Sequence, residues 1–202
     1  QNDPVLCWTA TNGVKFTKAS ASGFTLKKMN GAWYVDADGS GYLRSTTGGQ
    51  AMLTAWSMSA VTLAHTPTSG SQYMAIMFGN ESARQRRGMW VVSSTGALSY
   101  NGYADDVTGS SSLSADVWID ATLTQSAAKL TSIYKNGTAA GSGTVTGDNF
   151  ASDAITIGAN NGGGENYYGA YARIGFKSSV RSATEKTAWD AHATAVIADL
   201  NA

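Results

Sequence analysis

Short runs of alternating apolar and polar residues follow one another along almost the whole chain, each closed by turn-forming residues. Helical spacing occurs once, at the C-terminal end. About fourteen such runs read as strands, among them Pro4–Thr9, Ala32–Val35, Tyr42–Ser45, Met52–Ser59, Gln72–Phe78, Gly88–Ser93, Ala97–Tyr103, Val117–Thr124, Leu130–Lys135, Ala154–Ile157 and Tyr168–Phe176. Three rows are expected to face a core: Ile155 with Ile157; Val117, Ile119, Ala121 and Leu123; and Tyr168, Ala170, Ala172, Ile174 and Phe176, opposite Tyr171 and Arg173. So many short strands with a single helix predict an all-β fold, a two-sheet antiparallel sandwich with a short C-terminal helix.

Local signals sharpen this picture. Asn136-Gly137 suits the positive φ of a two-residue hairpin joining Leu130–Lys135 to Thr138–Ser142. Asp105-Asp106 with the Ser110–Ser112 run reads as a surface loop. Ser182-Ala-Thr-Glu185 fits a capping box, and Trp189, Ala193, Val196 and Leu200 then form one apolar stripe.

Composition narrows the classes of function. Hydrophobic residues make up 43% of the 202, enough to fill one core, whereas charged residues are only 14%, below the roughly 25% usual for soluble domains. Lys plus Arg equals Asp plus Glu at 14 each, so a nucleic-acid reader built on a broad basic face is disfavoured. No apolar run approaches the roughly 20 residues of a membrane-crossing helix. Cys7 is the single cysteine, so no internal disulfide forms.

From Trp118 to Trp189 the chain carries a strand ending in a YKNGT hairpin, a GTVTGDNF connection, AITIGAN, and then YYGAYARIGFKSSVRSATE. In order and spacing these pieces resemble the concanavalin A-like lectin and glucanase superfamily in its laminin G-like form. The resemblance implies a jelly-roll sandwich, expected as one domain over residues 1–202. It also implies carbohydrate recognition, with hydrolysis or lyase chemistry as the alternative activity of the same fold.

The residues argue against catalysis. Hydrolases of that superfamily place paired carboxylates along a strand, because glycosidic cleavage needs an acid and a base or nucleophile at fixed separation. Glu81, Glu165 and Glu185 are the only glutamates, and none has a second carboxylate two or four residues away on a strand face. Asp116 and Asp120 are four apart but flank Trp118 without a glutamate. Neither His65 nor His192 lies beside a serine elbow.

Binding features are more numerous. Asn160-Asn161-Gly162-Gly163-Gly164-Glu165-Asn166-Tyr167 is a glycine-rich rim loop whose amides, carboxylate and phenol suit sugar hydroxyls and ring faces. Trp90 and Tyr103, on strands that bracket a Ser-Thr-Gly turn, are stacking candidates if they face outward, with burial in the core as the plainer account. Arg84, Arg86 and Arg87 form the one concentration of positive charge, read against a solvated hairpin tip; the resemblance implies loop arginines that contact acidic glycans. Asp36, Asp38 and Ser40 with Gly41 reproduce the first half of a calcium loop, but Thr47 stands where the bidentate glutamate belongs, so a hairpin loop is the plainer account and no cofactor is required. The expectation is a non-enzymatic module that holds glycan, or other proteins of a surface assembly, in an extracellular setting or on a phage virion. Self-association and a purely structural virion role stay open.

Overall fold

The computed structural model describes residues 3–5, 7–9, 11, 14–19, 23–45, 55–66, 73–79, 86–146, 154–160 and 164–202. Sixteen strands appear among them. The N-terminal half contributes β1 (Asp3–Pro4), β2 (Cys7–Thr9), β3 (Lys15–Lys18), β4 (Phe24–Met29), β5 (Ala32–Asp38), β6 (Leu43–Ser45), β7 (Trp56–Ala64), β8 (Tyr73–Gly79) and β9 (Arg86–Val91). The rest are β10 (Ala97–Asn101), β11 (Val107–Ser112), β12 (Ile119–Gln125), β13 (Leu130–Lys135), β14 (Thr138–Thr144), β15 (Ile155–Ile157) and β16 (Tyr168–Lys177), followed by helix α1 (Ala183–Asn201).

Two eight-stranded sheets result, ordered β1-β4-β5-β16-β7-β12-β13-β14 and β11-β10-β9-β8-β15-β6-β3-β2. The core lies between them. Trp56 of the first sheet meets Phe78 edge-on and stacks on Tyr100 of the second, with both centroid separations at 6.0 Å. A hydroxyl also ties the layers, as Tyr171 of β16 donates to the carbonyl of Ala75 on β8 at 2.7 Å.

The expected sandwich and C-terminal helix are present, as is the hairpin at Asn136-Gly137, where φ is +51° and +74°. Several local expectations are corrected. Pro4–Thr9 is two strands in different sheets rather than one. Val107–Ser112 is not loop but the edge strand β11, paired with β10. Its sequence, VTGSSS, hides the alternation because Val107 is the one large apolar residue among its inward positions, followed by Gly109 and the half-buried Ser111. Close approach to β14 keeps the strand small: Ser110, on the exposed side, donates Oγ to Ala140 O at 2.8 Å, and a Cβ on Gly141 would lie 3.1 Å from the Gly109 backbone. The two sheet edges approach too closely there for larger side chains.

The row expected on the last strand breaks in the middle. Register shifts between Tyr171 and Arg173, so Ala172 is the extra residue of a bulge. Before it, Tyr171 faces the core while Ala170 and Ala172 face outward; after it, Ile174 and Phe176 pack against the core. Val117 is 49% exposed and does not continue the Ile119–Leu123 row.

Helix α1 lies on the outer face of the first sheet. Ala193, Val196 and Leu200 are buried against Val61, Leu63, Trp118, Ala170 and Ala172, with Trp189 packed alongside. Its start is the expected capping box: Glu185 N donates to Ser182 Oγ at 3.3 Å and Ser182 N to Glu185 Oε2 at 2.8 Å. Asn30 Nδ2 donates to Leu200 O at 3.0 Å and so satisfies a carbonyl at the other end.

Candidate ligand-binding site

Residues far apart in sequence converge at one rim of the second sheet. Arg86 opens β9 and points to the outer face, away from the core-facing Met89 and Val91. Its guanidinium is buried, and three residues from two segments surround it. Nε donates to Asn101 Oδ1 at the end of β10. Nη1 meets Glu165 Oε2 at 3.0 Å. The guanidinium carbon lies 4.9 Å from the ring centroid of Tyr103, which is 44% exposed. Asn160 Nδ2 reaches the same Glu165 oxygen at 3.4 Å, while Asn160 Oδ1 accepts from Gly164 N at 2.8 Å and shapes the turn.

The backbone supports this arrangement at some cost. Tyr103, Ala104 and Glu165 adopt φ of +55°, +72° and +49°, a region that non-glycine residues enter rarely. Asn101 Oδ1 accepts from Tyr103 N at 3.0 Å, and Glu165 O accepts from Met74 N at 2.8 Å, so Tyr103 and Glu165 are each fixed to a strand. The result is a rigid exposed phenol backed by a cation, with a carboxylate and an amide beside it.

Asn160, Glu165, Tyr103 and Arg86, all expected from the sequence to meet ligand, are therefore brought together, with Asn166 adjoining through a bridge to Met74. Asn101 was missed, because an asparagine at a strand end carries no signal of its own. Asn161 and Arg84 lie outside the described residues.

Other expectations change. Tyr167 is wholly buried, its hydroxyl donating to Leu63 O at 2.7 Å and sharing a bond with Thr62; it belongs to the core. Trp90 is also buried, packed with Met74 and Met77, and presents no open ring face. The arginine patch dissolves: Arg86 and Arg87 are each 2% exposed. Arg87 turns into the sandwich, where its Nε and Trp56 Nε1 both donate to Gln125 Oε1.

Among the described residues, Asp36, Asp38 and Ser40 do not converge as a calcium loop would require, and Thr47 lies outside them. Asp36 and Asp38 belong to β5, and Gly39–Gly41 cross from the first sheet to the second instead of closing a hairpin. Asp38 Oδ1 accepts from Ser40 N at 2.8 Å and from its hydroxyl at 2.6 Å. The Asp36 oxygens hold Lys27 Nζ at 2.7 Å and His65 Nε2 at 3.0 Å. Burial alone would raise the Asp36 carboxyl, yet the bonds from His65 and Lys27 bring it below the usual range. Among the described residues no group of three or more His, Cys, Asp or Glu is placed to hold a metal.

His65 is held at its other nitrogen by Asp116 Oδ1 at 2.5 Å, and its ring sits 4.6 Å from that of Tyr168. The Asp36 bond raises its pKa against the opposing effect of burial, with Asp116 adding to the rise. Both ring nitrogens face carboxylates, so neither is left to activate a serine. Asp116 and Asp120 are committed to different partners, Asp120 accepting from Trp189 Nε1 at 2.7 Å.

A family model described as the concanavalin A-like lectin/glucanases superfamily, in a laminin G form, matches residues 61–185. That is more than half of the chain, and the chain belongs to this superfamily. No curated protein matches it by sequence. Among solved structures, the binding domain of botulinum neurotoxin DC in complex with rat synaptotagmin II is 16% identical, with a TM-score of 0.66 over 95% of this chain and 52% of that one. The same neurotoxin domain in complex with SialylT aligns at 15% identity and a TM-score of 0.62, covering 96% and 52%. A Bacteroides ovatus protein provisionally described as carbohydrate binding aligns at 16% identity and a TM-score of 0.54, over 66% and 40%. The chain spans about half the length of the neurotoxin domains, and the likeness is one of fold.

Proposed function

We propose that this chain is a non-enzymatic recognition module that binds carbohydrate at the rim built from Tyr103, Arg86, Glu165 and Asn160. The observation that carries this reading is the Arg86 guanidinium, which joins an exposed phenol to a carboxylate some sixty positions away in sequence. A sugar presents an aliphatic ring face and paired hydroxyls. Tyr103 supplies a face to stack on, Glu165 accepts hydroxyl hydrogens, and the Asn160 amide does either. The solved relatives described above are binding domains, which supports holding over cutting.

A glycan-array screen followed by calorimetric titration tests the assignment. At least one glycan should bind, Tyr103→Ala should weaken it ten-fold or more, and Tyr103→Phe should retain most of the affinity because the ring face is kept. Binding indifferent to Tyr103→Ala, or no ligand on a broad array, would remove the rim site.

A further inference from the structure

On the opposite side of the molecule, a groove runs between α1 and the outer face of the first sheet. Two clefts compose it, of about 420 and 260 Å³. The larger is bounded by Asp36, His65, Asp116, Tyr34 and the C-terminal end of α1, and the smaller by Asp120, Asn136 and the middle of the helix. Trp118 is the wall common to both, and its ring meets Tyr34 edge-on at 5.5 Å. Helix residues Asp190, Thr194, Ile197 and Asn201, spaced four, three and four, line the clefts in succession. At 1.5 Å per residue they trace roughly 16 Å.

Two polar atoms here are left without partners. Trp118 is 3% exposed, and its buried Nε1–H meets no acceptor among the described residues. Asp190 Oδ1 is buried without a donor among the described residues, although Oδ2 holds Lys186 Nζ at 2.6 Å. A buried donor and a buried acceptor left unmade are costly unless a bound molecule completes them. Hydroxyl groups serve both, since each donates and accepts.

Charge selects among hydroxylated molecules. The carboxylates of Asp36, Asp116, Asp120 and Asp190 outnumber Lys27 and His65 along the lining, even with the Lys186 ammonium on Asp190 counted, which disfavours sialylated, sulfated or uronate chains. A cation meets the opposite difficulty, because the indole N–H of Trp118 would face it. We infer that the α1 groove is a second binding site, for an uncharged oligosaccharide, with the Trp118 indole N–H and the Asp190 carboxylate as its central hydrogen-bonding pair. The site shares no residue with the rim, and its test stands apart from that of the rim.

The experiment is an NMR titration of ¹⁵N-labelled protein with soluble neutral glucan, mannan and galactan oligosaccharides. The Trp118 indole resonance is assigned by its loss in Trp118→Phe. At least one neutral oligosaccharide should shift that resonance saturably, and a uronate oligosaccharide should not. Affinity should fall at least ten-fold in Trp118→Phe. It should fall as far in Thr194→Arg, which fills the groove from an exposed helix position and leaves the core untouched, so the test survives if Trp118→Phe does not fold. Tyr103→Ala should leave the titration unchanged. An unmoved Trp118 resonance across all neutral chains, or affinity unaffected by Thr194→Arg, would overturn the inference; binding abolished by Tyr103→Ala while that resonance stays still would leave only the rim.

Discussion

Single residues show how far environment departs from residue type in this protein. Asp120 looks in sequence like a strand-edge acid, but it is 3% exposed and its pKa is pushed up to about 6. Burial is the main cause, the Trp189 bond opposes it, and the nearby Asp190 charge adds to it. The folded state thus keeps its proton to higher pH than the unfolded chain does. The native protein binds more protons between about pH 4 and 6, so this group's contribution to stability falls as pH rises through that window. Asp120→Asn retains an oxygen for Trp189 and abolishes the titration. It should be about 3 kcal/mol more stable than the parent at pH 8, with the difference vanishing below about pH 3; denaturant melts across that range check it. Tyr167 and Trp90 teach the same lesson about aromatic residues, whose alternation in a strand is visible while the covered face is not.

At the level of elements, signals that act within a few residues were legible. The Asn136-Gly137 turn and the Ser182–Glu185 box depend on backbone amides and φ angles set by near neighbours, and both are present. Lys177 reinforces the box: its bond, with those from Ser182, holds the Glu185 carboxyl down at about 2. Ser182→Ala should cost about 1 kcal/mol of stability, read as a lowered denaturation midpoint with unchanged slope. The bulge at Ala172 was not legible. It comes from how β16 must serve two layers, placing Ala170 and Ala172 under α1 and Ile174 and Phe176 in the core, and only the pairing with β7 shows where the phase changes. Edge strand β11 was missed for a related reason, since close approach to β14 demands small residues, which carry no hydrophobic period.

For the whole molecule, α1 is more than a terminal appendage. It covers Val61, Leu63, Trp118, Ala170 and Ala172, and with the sheet it forms one wall of the groove. Removing residues 182–202 should uncover that apolar cluster and forfeit the burial of Val196 and Leu200, a loss of about 4 kcal/mol at the usual value for large aliphatic side chains. The expected outcome is a truncated protein with a markedly lower melting temperature that binds a hydrophobic dye. A truncated chain as stable as the parent would mean that the sheets alone carry the fold.

The period-two rhythm, the turn chemistry and one helical stripe were sufficient by themselves for a two-sheet sandwich with a C-terminal helix, because alternation reports which residues avoid water whatever the partner. They also marked Asn160, Glu165, Tyr103 and Arg86 as residues of interest. Which of these meet, and which marked residues are buried instead, depended on strand order and register. Those place residue 86 beside residue 165 and turn residue 87 inward, through contacts between segments too distant for any local pattern to encode.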